Sequence, residues 1–130
     1  MVRWLIIGPI AVVAFDTLAS IAARTLDFDY GSLWPLSVLL TVTVAFLAGQ
    51  DTGLVRAGVF AGLALEFVNS TVGWAVSWVI GPGAPAPADR DALPVVLTAL
   101  GVTAVGAIEG FVGGWLGARR ARRRAIQATG

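Results

Sequence analysis

Apolar residues run along this chain in four long blocks, parted by short clusters of Gly, Pro and Asp. The blocks are WLIIGPIAVVAFDTLASIAA (about 4–23), SLWPLSVLLTVTVAFLAG (about 32–49), LVRAGVFAGLALEFVNSTVGWAVSWVI (about 54–80) and ALPVVLTALGVTAVGAIEGFVGGWLGA (about 92–118). Each is long enough for a helix to cross a hydrocarbon core of ~30 Å, which takes about 20 residues. The intervening TLDFDYG, QDTG and GPGAPAPADRD carry turn residues. Pro35 and Pro94 fall in the first turn of their blocks, where a missing N–H costs little. Pro9 lies far enough into the first block to bend it. The pattern predicts an all-α integral membrane protein: a four-transmembrane-helix bundle over residues 1–118, followed by a basic tail at 119–130. The first block has the outline of a signal peptide, with Arg3 and Ser20-x-Ala22, but its length and its internal Asp16 mark a retained span.

Composition supports the membrane assignment and narrows the chemistry. The chain is 57% hydrophobic and only 13% charged, against about 25% charged in a typical soluble domain. So few charges do not cover a water-facing surface. Cys, His and Lys are all absent. That removes thiol chemistry, Schiff bases, haem ligation and the usual nitrogen ligands of metals. No nucleophile–base pair is visible, so neither catalysis, a metal nor another cofactor is expected. Asp, Glu and the single Tyr30 remain for proton chemistry.

Charge distribution sets the expected orientation. With both termini on one side, that side holds Arg3, Arg56, Arg119, Arg120, Arg122, Arg123 and Arg124, and the other holds Arg24 and Arg90. This bias places both termini in the cytoplasm and the protein in the plasma (inner) membrane. The tail arginines, Arg119, Arg120, Arg122, Arg123 and Arg124, are expected to contact anionic lipid head groups rather than nucleic acid. Trp4, Trp34, Trp78 and Trp115 read as anchors at the membrane interface, and the deeper Trp74 as packing.

Three acids interrupt the blocks: Asp16, Glu66 and Glu109. Each ends the pattern G-x-x-A-x-x-A-x-[DE], from Gly8, Gly58 and Gly101 respectively. The second block aligns with the fourth through Pro35 and Pro94, Ala45 and Ala104, Ala48 and Ala107, and Gln50 and Glu109. The chain therefore reads as two tandem helical hairpins, an arrangement used by transporters with midplane sites. Counted from the nearest arginine at 1.5 Å per residue, all three acids sit roughly 15–20 Å deep, so they can meet.

Helical spacing puts Gly62, Asn69, Ser70, Gly73 and Ser77 on the face of Glu66, and Ala19, Ser20 and Ala23 on that of Asp16. Gly106, Gly110 and Gly114 form a small-residue stripe that lets helices pack closely. A charge at the bilayer centre costs about 2.5–3.5 kcal/mol on insertion scales, and no arginine lies near midspan to pair with one. The acids must be neutral, share a cation or meet a partner chain. The expectation is a small proton- or cation-coupled transporter or channel-like protein. Asp16, Glu66 and Glu109 would be its carriers, and Asn69 and Ser70 their hydrogen-bonding support. The alternative is an accessory or scaffold subunit of a larger membrane complex. Four short helices enclose little space, so a homo-oligomer or hetero-complex is expected.

Overall fold

The computed structural model describes residues 2–81 and 91–129. The stretch 82–90, with most of the Pro-rich link, Asp89 and Arg90, lies outside the described residues. Helix α1 spans Val2–Leu26, α2 Trp34–Thr52, α3 Val55–Val68, α4 Trp74–Ile80 and α5 Ala92–Thr129. A 3-10 turn, Tyr30–Leu33, leads into α2, and a π-helical turn, Asn69–Gly73, joins α3 to α4 into one rod. Four helices are thus long and apolar enough to cross a membrane.

Local chemistry explains the boundaries. Asp27 takes a left-handed conformation, φ 53°, which ends α1; a short polar side chain tolerates that region better than most. The Asp29 carboxylate then accepts from the Gly31 N–H at 3.0 Å and starts the 3-10 turn. Pro35 occupies the first turn of α2. Gly53, at φ 68°, closes α2 by donating to the Gly49 carbonyl at 2.9 Å, the usual left-handed glycine cap. Pro9 is accommodated within a continuous α1. The helix of the fourth apolar block continues past residue 118 into the basic tail. Ala and Arg are strong helix formers, and no Gly or Pro intervenes before Gly130, so α5 runs on for 38 residues. That is about 57 Å, nearly twice a hydrocarbon core.

The helices run alternately up and down. At one end Arg3 forms an ion pair with Asp51, and the Trp4 indole donates to the same carboxylate at 2.6 Å. The Arg120 guanidinium lies over the Phe46 ring at this end. The start of α1, the α2–α3 turn and the basic part of α5 therefore gather together. At the other end Arg24 donates to the Ile80 carbonyl at 3.2 Å.

The interior is built from small residues and the exterior from large apolar ones. Ala45, Ala48, Ala57 and Ala61 are fully buried, with Val12 and Leu65 as the larger core side chains. Ile10, Leu18, Leu39, Phe67, Leu100 and Ile108 face outward. Helix α5 wedges between α2 and α3 with its backbone nearly touching both. Gly106, Gly110 and Gly114 meet Gly58 and Gly62 of α3, while Gly113 and Gly117 meet the α2 backbone at Val42 and Phe46. Helix α1 packs on the other side, chiefly against α3 and α4. The two expected hairpins are consequently not packed alike: α3 and α5 meet backbone to backbone, while α1 and α2 make a much thinner contact.

Candidate functional site

Asp16, Glu66 and Glu109 come from α1, α3 and α5, and the packing of those helices brings them into one seam. Glu66 stands in the middle, near enough to act electrostatically on both Asp16 and Glu109. Asp16 is 2% exposed and Glu66 5% exposed. The expected small-residue faces are turned inward with them: Gly62, Ser70, Gly73 and Ser77 beside Glu66, and Ala19, Ser20 and Ala23 beside Asp16, are all buried.

Glu66 is held at both oxygens. The Thr41 hydroxyl donates to Oε1 at 2.6 Å, and the Asn69 amide donates to Oε2 at 2.7 Å. Thr41 Oγ1 also lies 3.1 Å from the Ser37 carbonyl. One hydroxyl carries one proton. Thr41 can donate to an ionised Glu66, or turn to Ser37 and accept a proton from a neutral one. The pair accommodates both protonation states without moving a helix.

Asp16 is held at one oxygen only. The Tyr30 hydroxyl reaches down from the 3-10 turn and donates to Oδ1 at 2.8 Å. Oδ2 is buried without a hydrogen-bond partner, and so is Oε2 of Glu109. Among the described residues the ion pair is Arg3–Asp51, at the arginine-rich end. No described arginine pairs with the buried acids.

The π turn is part of this arrangement. A π turn widens the helix and leaves carbonyls without their usual donors. Here Thr71 donates to the Phe67 carbonyl at 2.6 Å, and Ser70 approaches the same carbonyl at 3.3 Å. Short hydroxyl side chains can fold back in this way, and Asn-Ser-Thr supplies them. The Ser70 hydroxyl is thereby occupied away from Glu66: its other neighbour is Thr103 of α5, at 3.4 Å. Asn69, at the start of the turn, keeps its bond to Glu66.

Two hollows flank the cluster. One, of about 140 Å³, is lined by Phe15, Asp16, Tyr30, Trp34, Asn69 and Trp74 among others. The second is a groove of about 560 Å³ bordered by Glu66, Glu109, Val102 and Val105. Trp34, Ser37, Asn69 and Trp74 line both, so the hollows share one wall. Trp74, which packs against the Trp78 ring at 6.4 Å between centroids, also lines both hollows. Tyr30 and Thr41 contact the acids yet are not singled out by the sequence pattern. The signal for Thr41 is slight, a polar residue amid apolar ones. For Tyr30 it is only that the chain's sole phenol sits in a short loop after the span bearing Asp16.

The tail residues Arg119 and Arg120 lie over the rings of Trp115 and Phe46 at 5.4 and 5.9 Å. Both positions lie far from the acids, as does the exposed run Arg122–Arg124. No protein family model, curated protein or solved structure matches the chain.

Proposed function

We propose that this chain is an integral protein of the plasma (inner) membrane that moves protons or a cation by way of Asp16, Glu66 and Glu109. The apolar exterior supports the membrane assignment, since lipid is the solvent such a surface suits. Both termini are cytoplasmic on the arginine count, and the basic extension of α5 lies against anionic head groups. The carrying observation for transport is the seam itself. Three carboxylates from three helices lie along it, two of their oxygens are buried without a partner, and no described arginine compensates them. Three like charges, two of them buried and one half-buried, repel, so they are filled by protons or by a bound cation. Asn69 and Thr41 hold the central acid. The Thr41 hydroxyl, with its two acceptors, allows that acid to gain and lose a proton in place.

A second reading is an accessory subunit of a larger complex. It is favoured by the first half of α5, where Leu93, Val96, Leu97 and Leu100 stand clear of the other helices. Reconstituted proteoliposomes separate the two. Proton or cation flux in the wild type should fall about tenfold or more in Glu66→Gln, which keeps the shape of the side chain but cannot carry a proton. Normal flux in a folded Glu66→Gln protein would refute the carrier role. A silent wild type that co-purifies with a stoichiometric partner would favour the accessory subunit.

A further inference from the structure

We propose that Asp16 is a positioning residue: it keeps a proton on Oδ2, offers it to the Asn69 carbonyl, and so holds the Asn69 amide with its N–H toward Glu66. The proposal divides the work within the carrier described above and rests on that reading. Glu66 exchanges protons, and Asp16 retains one.

The geometry starts at Gly73. A Cβ there would collide with Asp16 Oδ2 and stand 3.2 Å from Asn69 Oδ1. The two oxygens therefore border one point, which any side chain at residue 73 would fill. They are close enough for a hydrogen bond, direct or through one water. An amide oxygen accepts and does not donate, and the same holds for an ionised carboxylate. Two acceptors face each other without penalty only when one carries a proton, and here that one is Asp16. This accounts for Oδ2, which is buried without a hydrogen-bond partner: no protein donor reaches it, because it is itself the donor. The amide has no other end to offer. Its Nδ2 lies 2.7 Å from Glu66 Oε2, which leaves Oδ1 for Asp16.

The donors around the two acids point the same way. Glu66 receives two, Thr41 at 2.6 Å and Asn69 at 2.7 Å. Asp16, at 2% exposure, receives one, the Tyr30 hydroxyl at 2.8 Å. A buried charge is costly unless hydrogen-bonded, so of this pair Glu66 is the one equipped to hold a charge. Tyr30 suits a neutral Asp16, since it donates to Oδ1 and leaves Oδ2 for the proton. Few other groups near the seam titrate. The 3-10 turn brings Tyr30 and α5 brings Glu109. Helix α4 has none, and Asp51 of α2 pairs with Arg3 at the far end. Were Asp16 to lose its proton, Oδ2 would attract the amide N–H, and the amide would turn and withdraw its donor from Glu66.

The test is solid-state NMR of the full chain in lipid bilayers. Glu66 and Glu109 are the two glutamates of the chain, so isotope-labelled glutamate gives two carboxyl signals, assigned by loss of one in Glu66→Gln. Asp16→Asn keeps a donor for Asn69 and has no charge. The pH at which Glu66 titrates should stay within about 0.5 units of wild type in that variant. Asp16→Leu and Asn69→Leu remove the donor and the amide, and each should move it by about one unit or more. A larger move in Asp16→Asn would show that a charge had been removed from Asp16 and overturns the proposal, as does equal titration in Asp16→Leu and Asp16→Asn. If the leucine variants do not fold, wild type and Asp16→Asn decide alone. An infrared acid carbonyl band of Asp16, absent from Asp16→Asn, should then persist in wild type above the pH at which Glu66 ionises, and its earlier loss overturns the proposal. Flux that depends on Glu66, with a titration moved by Asp16→Asn, removes the donor role and leaves the transport reading. The expected titrations without flux support the donor role and remove transport.

Discussion

The wedge of α5 between its neighbours makes a sharp prediction when one substitution is placed at two points on that helix. A Cβ at Gly110 would sit 2.6 Å from the Gly58 carbonyl oxygen, 2.9 Å from Val59 Cα and 3.1 Å from the Val59 oxygen. All three are backbone atoms of α3, which do not swing aside as a side-chain tip does. Reaching ordinary contact, beyond 3.4 Å, means moving the two helices apart by nearly 1 Å. That loosens the whole row from Gly58 to Gly114. Overpacking of this kind costs about 1–3 kcal/mol, and the rigidity of the obstacle argues for the upper end. At Gly101 a Cβ meets nothing within 4 Å. Ala also gains roughly 0.5–1 kcal/mol over Gly in a helix interior, a gain common to both sites that cancels between them. Gly110→Ala should therefore be less stable than Gly101→Ala by about 3 kcal/mol. Equilibrium unfolding in bicelles by steric trapping reads this difference directly. A gap under about 1 kcal/mol, or one of opposite sign, would mean that α3 and α5 are not in backbone contact.

The remaining predictions concern single contacts. Thr41→Val strips Glu66 of its 2.6 Å donor and should cost about 1–3 kcal/mol in the same unfolding assay. Thr98→Val should stay within about 0.5 kcal/mol, since that exposed hydroxyl bonds its own helix at Pro94; equal losses would show that Thr41 does not support Glu66. Replacing Arg122, Arg123 and Arg124 together by Gln should reduce the anionic lipid retained in native mass spectra, at about 1 kcal/mol per lost charge. Unchanged retention would place the lipid contact elsewhere.

The four apolar helices were legible because membrane length and hydropathy are local quantities, readable block by block. So was the glycine stripe: residues four apart share a face, and Gly106, Gly110 and Gly114 show that spacing directly. The approach of the three acids followed from counting residues to the nearest arginine. Contacts that depend on chain reversal were not legible. Tyr30 reaches Asp16 only because Asp27 turns left-handed and Asp29 folds the following residues into a 3-10 turn. Thr41 looks like any threonine bonding back along its helix until α3 brings Glu66 beside it. Ser70 was expected next to Glu66 on ideal helical spacing; it lies within the widened turn, where its hydroxyl is drawn to Phe67 and Thr103 instead. The continuation of the fourth helix beyond its apolar block was not legible either. Loss of hydropathy at Arg119 marks the end of an apolar run, not of a helix, and arginine continues a helix well.

The π turn also has a bearing on how this sequence can vary. A helix advances about 100° per residue, and a π turn takes up one residue more than an α turn does. Asn69–Gly73 thus acts as a phase correction. It sets α4 against α3 so that Gly73 and Ser77 face inward while Val72 and Val79 face outward. Tightening the turn to regular α-helix with every residue kept would turn all of α4 by about 100°. Trp74 would then leave the wall between the two hollows. Side chains at Thr71 and Val72, both exposed, are free to change so long as a hydroxyl or its equivalent satisfies Phe67. One residue of the turn can also be lost if the turn then closes to regular α-helix, which keeps α4 in place.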